Sequence, residues 1–140
     1  MKYSASLHNV DGELDIFMKV GDKTNTVSIA PKPNGMGSSI SGGEVLFLAI
    51  ATCYCNDIYR EGRKLGIVVG NVEVDVEGDF GSPGEPALNV TCKIKVTAQA
   101  SEDEIRKLVE YTDSIAEIPK SIRNGTAISL LEVVAVSDQG

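Results

Sequence analysis

The chain has no tryptophan, a single histidine and only three cysteines in its 140 residues, and aromatic residues make up 5% of it. An odd number of cysteines, two of them in Cys53-Tyr54-Cys55, does not make the framework of a disulfide-stapled secreted domain. A metal centre also finds little support, because that pair lacks a second pair of ligands and His8 lies far off in sequence. No metal and no cofactor is therefore expected, and any cysteine role is packing or thiol chemistry. Basic residues are scarce and scattered: 13 Lys and Arg stand against 20 Asp and Glu, for a net charge of −7. That balance argues against a nucleic-acid partner, whose binding is driven by cationic neutralisation of phosphates, and against docking on an anionic membrane surface. Long apolar runs are missing too. The longest, Val45 to Cys55, has 11 residues, against roughly 18 or more needed to span a bilayer. Met1 to His8 offers no apolar segment suited to a signal peptide, so a cytoplasmic location is expected.

What is present is the composition of a soluble globular protein, 42% hydrophobic and 24% charged. The length suits one domain over residues 1–140. Tyr3, Ala5 and Leu7 alternate with Ser4, Ser6 and His8, the period of a strand with one buried face and His8 on its polar side. Asp11-Gly12 marks a tight hairpin into a second strand, Glu13 to Val20. Gly21-Asp22-Lys23 turns into a third, Thr24 to Ala30, where Val27 and Ile29 alternate with polar neighbours. Residues 31–43, rich in Pro, Gly and Ser, read as a loop: a mobile cover for a site, or a plain connector.

Ser41-Gly42-Gly43-Glu44 fits a capping box, in which the Ser hydroxyl and Glu carboxylate satisfy free backbone donors at a helix start. The helix is apolar on every side through Cys55, hence expected to be buried there, and polar from Asn56 to Lys64 as it emerges, ending at Gly66. Val68 to Phe80 and Leu88 to Ala98 read as two long strands joined by the surface loop Gly81 to Pro86. Ser101-Glu102-Asp103-Glu104 opens an amphipathic helix carrying Ile105, Leu108, Val109 and Thr112, followed by a short helical turn over Pro119 to Arg123 and a last strand, Thr126 to Val136. The order β-β-β-α-β-β-α-(α)-β has strands and helices in blocks, which favours an α+β fold over a doubly wound sheet. A helix apolar all round needs more cover than one small sheet supplies, and a homodimer would provide it.

Cys53 and Cys55 sit in that central helix. Residues two apart on a helix project about 200° from each other, so the two cannot join as a disulfide without unwinding. Asp57, four residues after Cys53, shares its face and can pair with Arg60 or meet the thiol. Cys92 shares a strand face with Val90, Ile94 and Val96, which suits a core filler or a resolving thiol for Cys53. Glu44 is accounted for by the capping box, with a catalytic role as the competing reading.

The stretch Gly42-Gly43-Glu44-Val45-Leu46-Phe47-Leu48-Ala49-Ile50-Ala51-Thr52-Cys53, with Asp57 and then Lys64-Leu65-Gly66-Ile67, resembles the central helix of the OsmC/Ohr family. That family has a Gly/Pro-x-x-Leu-Leu-x-Ala-x-x-x-Cys helix, commonly with an Asp four residues past the Cys, and its order of elements matches over nearly the whole chain. The resemblance implies an intertwined homodimer with two sites at the subunit interface. It also implies thiol-dependent reduction of organic hydroperoxides with Cys53 as the peroxidatic residue. The sequence departs from the family in three places. Ile118-Pro119 stands where the resolving Cys-Pro pair is expected, no Arg precedes Arg60, and the partnering Glu aligns with Gly43, one position from Glu44. Lys19, Lys23 or Lys32 would have to replace the missing Arg, although Lys offers a point charge where Arg offers a planar fork. Two functions follow. In one, Cys53 reduces hydroperoxides weakly, resolved by Cys55, Cys92 or an external thiol reductant; in the other, a non-catalytic dimer binds an apolar small molecule in its interface cavity.

Overall fold

A computed structural model describes residues 1–138. The chain forms two compact units, residues 1–48 and the chain from Ala49 onward.

In the first unit, β1 (Tyr3–Val10), β2 (Glu13–Val20) and β3 (Lys23–Thr26) form an antiparallel meander in that order. The hairpin turn takes positive φ at both Asp11 (52°) and Gly12 (79°), the primed geometry whose twist matches that of paired strands. This pins the register, with Tyr3 opposite Val20 and Val10 opposite Glu13. The third strand stops at Thr26, short of the expected Ala30, because its ladder with β2 ends at the Phe17–Thr26 pair and Val27 to Ala30 lie beyond it. The loop that follows is not a loose cover. Asn9 Nδ2 donates to the carbonyls of Glu13 (2.9 Å) and Gly35 (3.0 Å), while the Gly37 amide donates to Asn9 Oδ1 at 2.8 Å. Gly35, at φ +77°, comes so close to the hairpin that a Cβ there would stand 2.9 Å from Gly12 Cα.

The helix α1 (Gly42–Lys64) begins in the first unit, at Ser41, where the capping box forms as expected: Glu44 N donates to Ser41 Oγ at 3.2 Å and Ser41 N to Glu44 Oε2 at 2.7 Å. It ends in the second unit in a Schellman motif, with Ile67 N bonded to Gly62 O (2.9 Å), Gly66 N to Arg63 O (3.2 Å) and Gly66 at φ +72°. The expected burial along this helix holds only in part, at Ile50, Cys53 and Tyr54. Val45, Leu48 and Thr52 are exposed, whereas the nominally polar end buries Asp57, Ile58, Glu61 and Gly62. The reason is packing within the second unit. A Cβ on Gly62 would strike Val69 Cγ2 at 2.7 Å and lie 3.5 Å from Leu108 Cδ2, so the absence of a side chain lets the helix end lie down on its neighbours.

The strands β4 (Val68–Phe80) and β5 (Ala87–Gln99) pair antiparallel, with irregularities between Val69 and Asn71 and between Glu77 and Asp79. Next come α2 (Glu102–Ile115), whose capping box at Ser101 and Glu104 is present, and α3 (Glu117–Arg123). The core gathers Ile50, Tyr54, Ile58, Leu108, Thr112 and Ala116, and burying side chains such as Ile58 or Leu108 contributes about 1.5–3 kcal/mol each. The expected last strand does not form: residues 126–138 carry no regular structure, and Ile128, Leu130, Val134 and Val136 are at least three-quarters exposed. A strand is stable only when its backbone groups find a ladder partner, and no described strand pairs with this segment. The α+β class and element order otherwise follow the sequence reading.

Candidate functional site

Helical spacing brings the first pair together. Cys53 is buried, and its thiol donates to Asp57 Oδ2 one turn later at 3.5 Å. The other oxygen, Asp57 Oδ1, takes Arg60 Nη1 at 3.0 Å. Arg60 Nε donates to Glu61 Oε2 at 2.8 Å and Lys64 Nζ approaches the same oxygen at 3.0 Å, which holds the Glu61 carboxyl below its ordinary range. The α3 end completes the group: Glu117 brings a carboxylate oxygen that lies with Cys53 Sγ and an Asp57 oxygen within 4.8 Å of one another. The Ile118 backbone N–H is directed at the sulfur and favours its ionised form, but burial first, and then Asp57 and Glu117, push the thiol up. Cys53 is thus a neutral thiol with its proton aimed at a buried carboxylate.

The adjacent residue of the helix enters a different neighbourhood. Tyr54, 2% exposed, donates its hydroxyl to Asp113 Oδ1 at 2.5 Å, and Arg123 Nη2 reaches the same oxygen at 2.9 Å and the Tyr54 hydroxyl at 3.4 Å. Burial, followed by the Asp113 hydrogen bond and charge, pushes the Tyr54 phenol far up. The hydrogen bond from Tyr54, helped by Arg123, holds the Asp113 carboxyl below its usual range. Cys92 belongs here. Burial of the sulfur first, and then the Asp113 charge, push its thiol up, while the Arg123 charge and the nearby Tyr54 hydroxyl draw it down.

The remaining sequence candidates are placed separately. Cys92 is exposed as a residue, not a core filler, because the sheet face it occupies is covered only farther along, at Ile94 and Val96. Its titratable neighbours are Tyr54, Asp113 and Arg123, whereas those of Cys53 are Asp57 and Glu117. Cys55 is half-buried and points about 200° away from Cys53 around the helix. Glu44 is held by Ser41 through backbone and hydroxyl, which lower its pKa, so its carboxylate caps the helix. Lys19, Lys23 and Lys32 lie in the first unit, all outside its buried positions.

Sequence reasoning missed Glu117, Tyr54, Asp113 and Arg123. One signal pointed to the first. The alignment of Ile118-Pro119 with a site residue pair already placed this turn beside the cysteine. The Tyr54 hydrogen bonds span 59 and 69 residues and leave no periodic trace. Between α2 and β5 lies a groove of about 340 Å³ floored by Ile94, Val96, Ile105 and Val109. Among the described residues no helix is long and apolar enough to cross a membrane.

Comparison with known proteins adds the family context. The family model of the OsmC-like proteins matches residues 35–131. Among solved structures, the chain is similar to an OsmC-like protein from Mycoplasma pneumoniae, with a TM-score of 0.65 at 13% identity over 88% of each chain. It is also similar to an OsmC-like hydroperoxide resistance protein from Jannaschia sp. CCS1, with a TM-score of 0.53 at 11% identity over 98% of this chain and 93% of the other. A third likeness is to an organic hydroperoxide resistance protein OsmC from Legionella pneumophila, with a TM-score of 0.51 at 14% identity over 88% and 90%. At such identities the likeness is one of fold. No curated protein sequence matches the chain.

Proposed function

We propose, for a chain that belongs to the OsmC-like protein family, thiol-dependent reduction of organic hydroperoxides at Cys53, completed by an external small thiol. The observation that carries this reading is the buried contact from Cys53 Sγ to Asp57 Oδ2 at 3.5 Å, at the central-helix position that matches the family's reactive cysteine. Asp57 is oriented by Arg60 and lies in line to receive the thiol proton. The sulfur then attacks the distal peroxide oxygen, the O–O bond breaks, and the alkoxide leaves as the alcohol on taking a proton, so that thiol and hydroperoxide become sulfenic acid and alcohol. An external thiol condenses with the sulfenic acid to a mixed disulfide and water; a second restores Cys53 and leaves as the external disulfide. The chain's other thiols are poorly disposed for this step, Cys55 on another side of the helix and Cys92 among Tyr54, Asp113 and Arg123. The carboxylates around Cys53 make the reaction slow at neutral pH.

A homodimer fits this reading. The alternating apolar residues Ile128, Leu130, Val134 and Val136, together with Val45 and Leu48 on α1, lie open in the single chain, and a second copy supplies a class of surface able to cover them. Sedimentation analysis of the native protein returns twice the chain mass if so.

The decisive experiment exposes the native protein to a near-stoichiometric organic hydroperoxide with a sulfenic-acid trap and maps the adducts by mass spectrometry, with Cys53→Ser as control. A trap adduct at Cys53 alone is expected. No adduct there, under conditions that oxidise another thiol peroxidase, sinks the reading and leaves a non-catalytic dimer that binds an apolar small molecule.

A further inference from the structure

We propose that Cys53 Sγ, Asp57 Oδ2 and the Glu117 carboxylate form a binding site for a divalent, thiophilic cation of the zinc class. The three ligand atoms lie within 4.8 Å of one another, and two of the three residues are buried. Tetrahedral zinc, with Zn–S about 2.3 Å and Zn–O about 2.1 Å, sets its sulfur and oxygen ligands roughly 3.6 Å apart. The Cys53 Sγ to Asp57 Oδ2 separation is 3.5 Å, so one edge of the coordination tetrahedron already has its bound length. Only Glu117, an exposed side chain at the start of a helix, has to close in.

The surroundings of the ligands support the same conclusion. Metal-bound carboxylates and thiolates are commonly oriented by outer hydrogen bonds. Asp57 presents Oδ2 to the sulfur because Oδ1 is fixed by Arg60 at 3.0 Å, and the Ile118 N–H is directed at the sulfur. Charge closes as well. A thiolate and two carboxylates carry three negative charges, and Arg60 with a divalent cation supplies three positive ones. Cation binding releases the thiol proton to solvent and forms the sulfur–metal bond with no change of oxidation state. Three protein ligands leave a fourth position for water. The site lies within Cys53-to-Asp57 and Glu117, a grouping separate from the Cys53-Tyr54-Cys55 sequence that suggested no metal. It does not depend on the redox reading, since the same sulfur would bind a cation whether or not it reduces hydroperoxides. A bound cation would, however, withhold it from that reaction.

The test is a titration of the reduced full-length chain with Co²⁺, in a Cys55→Ser/Cys92→Ser background so that Cys53 is the sole thiol, without hydroperoxide. Expected are a near-ultraviolet sulfur-to-cobalt charge-transfer band that saturates at one equivalent, its bleaching by Zn²⁺, and its loss in Cys53→Ser. Glu117→Gln, at an exposed position, should weaken cobalt binding by at least the roughly 10- to 100-fold typical of losing an outer-shell partner. Absence of the band, or cobalt affinity unchanged by Glu117→Gln, overturns the site. Because hydroperoxide trapping is measured without metal, either result leaves the redox reading to stand or fall by itself.

Discussion

Cys53 and Tyr54 are neighbours in sequence yet face opposite kinds of surroundings. About 100° of helical rotation separates their side chains. The first meets Asp57 and Glu117, with no cation on the sulfur; the second meets Asp113 and Arg123, where the carboxylate is matched by a guanidinium 2.9 Å away. The two ends of the short helix α3 supply the difference, Glu117 at its start and Arg123 at its end. A neutral phenol donating to a paired carboxylate is a settled arrangement that ties three helices together. A thiol between two carboxylates is an unsettled one, favourable while its proton stays and ready to exchange that proton for something more positive. The same helix thus holds a structural tie and a reactive position side by side.

Three substitutions break or sharpen this contrast. Leu108→Ala truncates a fully buried residue of α2, close to Gly62, on the helix that also carries Asp113. It should cost about 3 kcal/mol in urea unfolding and loosen both neighbourhoods together. Asp57→Asn should act on one only. Without that carboxylate the Cys53 thiol ionises more readily, and alkylation by iodoacetamide, read at Cys53 by mass spectrometry, should quicken about tenfold at neutral pH, the equivalent of about 1.4 kcal/mol. An unchanged rate would show that burial and Glu117 restrain the sulfur without Asp57. Tyr54→Phe acts on the other and should cost about 1 kcal/mol by loss of its hydroxyl contact with Asp113. It carries a pH signature as well. The folded phenol titrates above the usual tyrosine value near 10, so its stabilisation is complete below that pH and is lost as pH rises past it. The native protein should weaken on the alkaline side of about pH 10, and Tyr54→Phe should weaken less steeply there, as followed by urea midpoints across that range.

Local chemistry made much of the fold legible. Asp11-Gly12, the Ser41 and Ser101 capping boxes and the alternation in β4 and β5 each act over a few residues, and each appears where expected. Asp57 was legible for the same reason, one helical turn from Cys53. What misled was the assumption that apolar means covered. Along α1 the apolar residues Val45 and Leu48 are open, while Asp57 and Glu61 are buried, with Arg60 and Lys64 matching their charges in place. Thr126 to Val136 has the alternation of a strand, but alternation describes a face, not the partner backbone a strand needs. Glu117, Asp113 and Arg123 came to the site through tertiary packing, which leaves no periodic pattern to read.

The Asn9 contacts bear on where this chain can be cut or extended. Residues 82–85 form a turn closed by Glu85 N to Ser82 O at 3.0 Å, with exposed residues on both sides, the kind of surface tip that accepts a foreign peptide or a new pair of termini. Residues 34–37 look similar by composition, yet one asparagine side chain staples them to the hairpin by two hydrogen bonds. A reporter peptide belongs in the first loop; placed in the second, it would pull the staple out.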